Sequence, residues 1–110
     1  SCVRYGNARE HLTNTDVVFI GRAVRRDRDW FDRTRYYTTF EVQEALKGSL
    51  PRRVRVAHGG ATNCAVFSFD LGARRMIFAH RDGRALSTNH CSMQRFSEAE
   101  YRAAMRSLVP

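Results

Sequence analysis

The side chains best suited to chemistry are those of three cysteines and four histidines. The cysteines, Cys2, Cys64 and Cys91, include no Cys-x-x-Cys pair, so the chain lacks the pattern of a zinc ribbon or of a thioredoxin-type redox site. His90 precedes Cys91 directly, and on a strand the two side chains would point to opposite faces and could not share one ion. We therefore expect no metal and no other cofactor.

A cysteine nucleophile is the remaining catalytic candidate. Cys64 and His58 lie close enough in sequence to meet across a loop, but no third group that would orient the histidine is evident. The chain also has no His-Glu-x-x-His, no Walker loop and no Gly-x-Ser-x-Gly. His11, on a short predicted helix, is expected to be solvated. These patterns predict a protein without catalytic activity.

A disulfide is the simpler use of the cysteines. Cys2 lies at the start of the chain, where no other feature would hold the backbone in place. A bridge from Cys2 to Cys91 would close a loop of about 90 residues and contribute roughly 4–5 kcal/mol in the chain-entropy model. A bridge from Cys64 to Cys91 is the alternative. Either bridge predicts an oxidising compartment.

Arginine dominates the charge of the 110 residues. The chain has 19 Lys and Arg against 11 Asp and Glu, a net charge of +8, and Lys47 is its only lysine. A GC-rich genome would produce the same excess of arginine, although arginine also suits phosphate and sulfate through its two-pronged hydrogen bonding. We predict weak, salt-sensitive binding of anionic polymers, single-stranded nucleic acid included. The candidate contacts are Trp30, Tyr37, Arg53 and Arg55.

Strand patterns occupy most of the chain. Residues 17–24 open with an apolar run that predicts a buried strand, and Gly21 predicts a bulge or bend within it. Residues 34–43 alternate between two faces, as a half-exposed strand does. Between them, residues 25–33 are predicted to be a polar connection. Further strands are predicted around Val54 and Val56, over 76–79, and over 85–87 after an Asp82-Gly83 turn.

Helices are predicted at both ends of the chain. Residues 7–13 fit a short helix, and Ser97 with Glu100 forms a capping box that opens a helix over 97–108. Tyr101 lies on the apolar face of that helix, and Arg102 and Arg106 are expected to point outward. No apolar run approaches the roughly 18–20 residues of a membrane-spanning helix.

About five short strands and a terminal helix predict a mainly β protein. We expect one domain over residues 1–110, folded as a five-stranded closed barrel of the oligonucleotide/oligosaccharide-binding (OB) type with a C-terminal helix. A two-sheet sandwich is the alternative.

The order of these features resembles the netrin-type module, in the form found in tissue inhibitors of metalloproteinases and their bacterial relatives. The shared landmarks span about residues 1–95. In order they are Cys2-Val3, the run 16–24, the strand 39–42 leading to Leu46-Lys47-Gly48, Asn63-Cys64, Phe67, Phe69, Gly72, the run 76–79, Asp82-Gly83, the run 86–88 and Cys91-Ser92. The resemblance implies an OB-type barrel and a secreted or periplasmic protein whose signal peptide has been removed. It also pairs Cys2 with Cys91 and leaves Cys64 without its partner.

The resemblance implies a protein partner as well. Inhibitory members of the family begin with Cys-x-Cys, and the first cysteine chelates the catalytic zinc of the target protease. Ser1-Cys2-Val3 matches only the later part of that pattern, so we expect a non-catalytic binding domain with weak or no inhibition. Its partner would be an extracellular or periplasmic protein such as a metalloproteinase. The implied contact edge comprises Ser1, Cys2, Val3, Arg4, Thr62, Asn63, Cys64 and Ala65.

Overall fold

The alternating segments of the sequence form a sheet that closes on itself. The computed structural model describes residues 2–32, 35–59 and 69–108. Their secondary structure elements are, in order, α1 Ala8–Thr13, β1 Val17–Arg28, β2 Arg35–Lys47, β3 Arg53–Gly59, β4 Arg74–Asp82, β5 Ala85–Thr88 and α2 Glu98–Leu108. None of the described helices is long and apolar enough to cross a membrane.

The strands form a closed barrel in the order β1-β2-β3-β5-β4. All neighbouring strands pair antiparallel except β3 and β5, which are parallel. This arrangement confirms the predicted mainly β, OB-like barrel with a C-terminal helix. The alternative of a two-sheet sandwich is wrong, because β4 pairs with β1 and closes the sheet.

The barrel bends at Gly21, as predicted. The register between β1 and β2 shifts between Ile20 and Gly21. A Cβ atom at Gly21 would lie 2.9 Å from the Phe19 ring and 3.0 Å from the Glu41 carbonyl oxygen, so no larger residue fits without movement.

β1 is longer than predicted. It continues to Arg28, and its last residues pair with the start of β2 in the register Arg28↔Tyr36. The prediction of a polar connection over 25–33 was therefore wrong for its first half. Antiparallel backbone pairing supports a strand whose side chains are polar, because one face of such a sheet can lie in water.

Two apolar cores explain why β1 opens with apolar residues on both of its faces. Val17 and Phe19 point into the barrel, where Phe19 packs edge-to-face on Phe40. Val18 and Ile20 point outward into a second core beneath the two helices. The capping box at the start of α2 is also present, since the Glu100 backbone N–H donates to Ser97 Oγ at 3.2 Å.

Candidate anion-binding face

The outer surface of β2 and β3 carries three of the four residues predicted to bind anionic polymers, Tyr37, Arg53 and Arg55. Tyr37 on β2 and Arg55 on β3 point outward, because their neighbours Thr38 and Val56 are buried. The register sets Arg55 opposite Thr39, so Tyr37 is its diagonal neighbour. The Arg55 guanidinium carbon lies 3.8 Å from the centre of the Tyr37 ring, a cation–π contact that orients the arginine.

This pair forms one wall of a surface groove of about 580 Å³, which we call the aromatic groove. Its residues are Arg25, Asp27, Arg28, Asp29, Trp30, Phe31, Tyr37, Thr39 and Arg55. The structure thus brings together Trp30, Tyr37 and Arg55, as predicted. The side chains of Trp30 and Phe31 are 80% and 93% exposed, so both rings are open to a ligand.

The turn that presents the two rings is organised by Asp29. Its Oδ1 atom accepts hydrogen bonds from the backbone N–H groups of Phe31 at 2.8 Å and Asp32 at 2.9 Å. Its Oδ2 atom accepts the Tyr37 hydroxyl at 2.9 Å. The bond from Asp32, then those from Tyr37 and Phe31, lower the pKa of Asp29. An ionised carboxylate therefore holds the turn against β2 while the rings project into solvent.

Charge in the aromatic groove is partly balanced. Arg25 pairs with Asp27, with Nε and Oδ1 at 3.1 Å, and Asp29 is committed to its turn. Three arginines against two aspartates leave a positive excess. The exposed aromatic rings of the groove suit stacking with flat rings such as nucleobases, and its positive excess suits anionic groups.

Arg53, the remaining predicted contact, lies on the same outer face of β3 but outside the aromatic groove. It lines a second depression of about 250 Å³, which we call the arginine pocket. The pocket residues are Ser49, Leu50, Pro51, Arg53, Val54, Arg55, Arg81, Arg84 and Leu86. Arg53 lies two residues before Arg55 on β3, opposes Glu41, and does not line the aromatic groove with Trp30 and Tyr37. Arg55 lines both depressions and connects them.

Sequence reasoning missed two residues of the arginine pocket. Arg81 and Arg84 flank the β4–β5 turn, where Gly83 takes a φ of 63°. The Asp-Gly signal located that turn, but only the parallel pairing of β3 with β5 brings its arginines beside Arg55. The proximity of β3 and β5 follows only when the predicted strands are arranged in the order of a closed barrel.

The N-terminal edge is crosslinked as predicted. Cys2 and Cys91 form a disulfide with Cα atoms 5.2 Å apart, so the alternative bridge from Cys64 to Cys91 is wrong. The Arg95 guanidinium donates to the carbonyl oxygens of Val3 and Cys91, which ties the two sides of the bridge together. Val3 is 66% exposed, and Arg4 is also exposed. The remaining residues of the predicted edge, Ser1, Thr62, Asn63, Cys64 and Ala65, lie outside the described residues.

The crosslink also creates a cluster of potential metal ligands. The ligand atoms of Cys2, His90 and Cys91 all lie within 4.8 Å of one another. The argument that separated His90 from Cys91 assumed a strand and was wrong, because the two residues follow β5 in a turn. The sulfur atoms of Cys2 and Cys91 are bonded to each other, so the oxidised pair offers no thiolate to a metal.

Of the two residues considered as a nucleophile pair, Cys64 lies outside the described residues and only His58 is described. His58 points into the barrel, with Nε2 2.7 Å from Thr38 Oγ1, and its ring stacks on Tyr36. Burial beside a threonine gives His58 a packing role inside the barrel.

A buried polar centre lies beneath the helices, at a residue expected to be solvated. His11 is only 2% exposed and stacks between Tyr5 and Phe78, with ring centroids 4.8 and 4.3 Å away. Its Nδ1 atom lies 2.7 Å from the Tyr101 hydroxyl. That hydroxyl accepts backbone N–H groups from Arg95 and Phe96, so its own proton is directed to His11. Burial, reinforced by nearby Arg95 and His80, lowers the pKa of His11 to about 4.

The helix side of the barrel also carries a chain of ion pairs. Arg102 lies 2.6 Å from Glu44 on β2 and 2.9 Å from Glu98 one turn earlier on α2. Arg74 on β4 contacts the same Glu98 at 3.0 Å. The hydrogen bonds from Arg74 and then Arg102 lower the pKa of Glu98 to about 2. Arg102 thus fastens α2 to the barrel, and the prediction that it points outward was wrong.

Comparison with known proteins adds no family to this description, since no family model and no curated protein matches the chain. The structure establishes a five-stranded mixed barrel with a C-terminal helix and a disulfide.

Proposed function

We propose that this chain is a non-catalytic binding domain that acts in an oxidising compartment and binds single-stranded nucleic acid on its outer β2–β3 face. One observation carries the proposal. Two exposed rings, Trp30 and Phe31, share a groove with Arg55, which is held in place on Tyr37.

The chemistry of the groove suits such a ligand. Single-stranded nucleic acid offers flat bases for stacking and phosphates for arginine, and stacking on an aromatic side chain is worth about 1–3 kcal/mol per base. The Asp29 hydrogen bonds fix the turn before a ligand arrives, so less conformational freedom is lost on binding.

The place of the groove on the barrel supports the proposal by analogy of fold. OB-type barrels that bind oligonucleotides use the β2–β3 face together with the β1–β2 and β4–β5 loops. Here the β1–β2 connection carries Trp30 and Phe31, and the β4–β5 turn carries Arg84. The analogy of fold indicates which surface binds a ligand, and the side chains on that surface indicate the chemical class of the ligand.

The disulfide supports the assignment to a compartment. Disulfides persist mainly in secreted and periplasmic proteins, and this chain carries one between Cys2 and Cys91. The resemblance to the netrin-type module agrees with an exported protein. We therefore place the binding function outside the cytoplasm, where free nucleic acid or another anionic polymer would be the ligand.

The test uses the fluorescence of Trp30, which is the only tryptophan of the chain. Titration with oligothymidylate should quench this fluorescence, and the affinity should fall as salt is added. Trp30→Ala with Phe31→Ala should weaken binding, measured by anisotropy of a labelled oligonucleotide. Leu71→Ala removes an exposed apolar side chain outside the groove and is the matched control. Unchanged Trp30 fluorescence at saturation, or equal affinity of the double variant, would refute the stacking proposal.

A second candidate rests on the N-terminal edge. Val3 is exposed on a segment that the disulfide and Arg95 hold in place, as a protein-contact wedge requires. The netrin-type resemblance suggests a metalloproteinase as its partner. A chain that begins at Ser1 should inhibit a metalloproteinase panel weakly or not at all, because its side-chain contacts alone must then offset the ordering cost. Placing a cysteine before Ser1 should strengthen inhibition, and failure of both forms to inhibit would remove this candidate.

A further inference from the structure

The arginine pocket collects positive charge that the described part of the protein does not neutralise. Arg55, Arg81 and Arg84 form no ion pair with any carboxylate of residues 2–32, 35–59 or 69–108. Arg53, the fourth arginine of the pocket, lies 3.7 Å from Glu41, which Arg22 also approaches at 3.7 Å. None of the pocket residues is acidic.

The apolar walls of the pocket strengthen the positive electrostatic field of its arginines. Val54 and Leu86 are buried apolar residues, and Leu50 and Pro51 add further apolar surface. Apolar walls lower the local polarisability, so the charges around the pocket act on an anion with less screening than on an open surface. Four arginines line this one small depression, and their like charges repel one another unless an anion lies between them.

The pocket arginines belong to strands and a tight turn whose backbone is held by hydrogen bonds. Arg55 is oriented by its contact with the Tyr37 ring. Arg81 belongs to the β4–β5 hairpin, where it pairs with Leu86, and its backbone N–H donates to Asp16 Oδ2 at 2.8 Å. Arg84 follows Gly83 in the tight turn of the same hairpin. The backbone positions are therefore set before an anion arrives, which favours a defined site over a diffuse cloud of charge.

We infer that the arginine pocket is an oxyanion subsite that binds a phosphate group of the nucleic acid strand whose bases stack in the aromatic groove. The inference rests on the proposed function, because Arg55 lines both depressions and so joins the stacking surface to the phosphate subsite. Arginine forms two parallel hydrogen bonds to a phosphate, and no carboxylate among the described residues occupies these donors of Arg81 and Arg84.

The salt dependence of oligothymidylate binding tests the inference. Arg81→Gln with Arg84→Gln should lower the slope of log affinity against log salt by about 0.7 for each phosphate that is no longer neutralised. Quenching of Trp30 at saturation should persist in this variant, because the rings are untouched. Arg9→Gln with Arg106→Gln removes the same charge from exposed positions on α1 and α2 and should leave the slope unchanged.

The outcomes distinguish a failure of the pocket assignment from a failure of the proposed function. If both double variants lower the slope equally, net charge is responsible and the pocket assignment falls, while stacking in the aromatic groove stands. If the unmodified protein neither binds the oligonucleotide nor shows quenching, the proposed function falls.

A second measurement addresses the pocket without the polymer. Inorganic phosphate, and inorganic sulfate in a parallel titration, should shift the guanidinium NMR signals of Arg81 and Arg84 saturably. Absence of these shifts would overturn the oxyanion subsite. Tighter binding of a sulfated polysaccharide than of oligothymidylate, without quenching of Trp30, would overturn the assignment to nucleic acid.

Discussion

Arginine serves opposite purposes on two sides of this barrel. On the helix side, Arg74 and Arg102 share Glu98, and Arg102 also holds Glu44 on β2. At the arginine pocket, the guanidinium groups of Arg81 and Arg84 form no ion pair with a carboxylate of the described residues. The same residue type thus fixes a helix to the sheet in one region and is left open to a ligand in the other.

This difference bears on why the chain is so basic. A GC-rich coding sequence would explain the number of arginines, but it would not explain where their partners lie. The acidic residues Glu44 and Glu98 lie beside the arginines of the helix side, while no acidic residue lines the arginine pocket and only Arg53 there has an acidic neighbour, Glu41. This distribution agrees with a stabilising role for the arginines of the helix side and with the binding that we propose for the outer β2–β3 face.

The largest effect expected on the stability side is loss of the disulfide. Replacing both Cys2 and Cys91 with serine should lower the free energy of unfolding by about 2–5 kcal/mol, as for other small domains with a native disulfide. Chemical denaturation measures this change. Below the new transition the variant should bind oligothymidylate as the unmodified protein does, because the bridge is not part of either depression. A decrease below about 1 kcal/mol would show that the N-terminal segment contributes little.

Lowering the pH should decrease the stability of the protein through His11, which lies beneath the helices. An ordinary histidine has a pKa of 6.5, and burial lowers that of His11 to about 4, so the unfolded chain binds the proton more readily. The stabilisation is complete above pH 6.5 and is lost as the pH falls towards 4, by on the order of 2–3 kcal/mol. Denaturation midpoints measured across this pH range test whether stability falls as the pH falls.

His11→Phe is the control for the acid prediction, because it keeps a ring between Tyr5 and Phe78 but removes the titrating group. This variant should lose most of the pH dependence, although it costs some stability where the Tyr101 hydroxyl loses its acceptor. An equally steep pH dependence in the variant would assign the effect to another group.

Gly21→Ala tests the bend that shapes the barrel. The added methyl group would meet the Phe19 ring and the Glu41 carbonyl at 2.9 and 3.0 Å, closer than real Cβ atoms settle. We expect a decrease in stability of about 1–3 kcal/mol from overpacking, measured by thermal or chemical denaturation. Gly59→Ala is a matched control, because a Cβ atom there meets nothing within 4 Å. Equal effects of the two changes would show that the close approach at Gly21 is not a constraint.

The parts of the fold that sequence could predict are those fixed by local contacts. The start of α2 follows from Ser97 and Glu100, which bond to each other three residues apart. The β2 strand follows from its alternation, since Thr38 and Phe40 are buried while their neighbours are not.

The remaining features depend on residues far apart in the chain. Arg81 and Arg84 reach Arg55 only because β5 lies parallel to β3. His11 is buried because α1 packs against Tyr101, 90 positions later. Arg102 turns toward the sheet because Glu44 lies beneath it on β2. No periodicity in the sequence encodes such pairings, so local sequence patterns alone predict neither the partners nor the burial of these side chains.

The most direct test compares one arginine from each region at the same change in charge. Arg55→Gln should weaken oligothymidylate binding by about tenfold or more, because a charged hydrogen-bond donor is removed, and should leave stability nearly unchanged. Arg102→Gln should lower the melting temperature slightly, by loosening α2, and should leave the affinity unchanged. Anisotropy titrations and thermal denaturation of both variants, in one buffer, give the four values needed. Equal decreases in affinity in the two variants would contradict the account, because binding would then follow total charge and not the outer β2–β3 face.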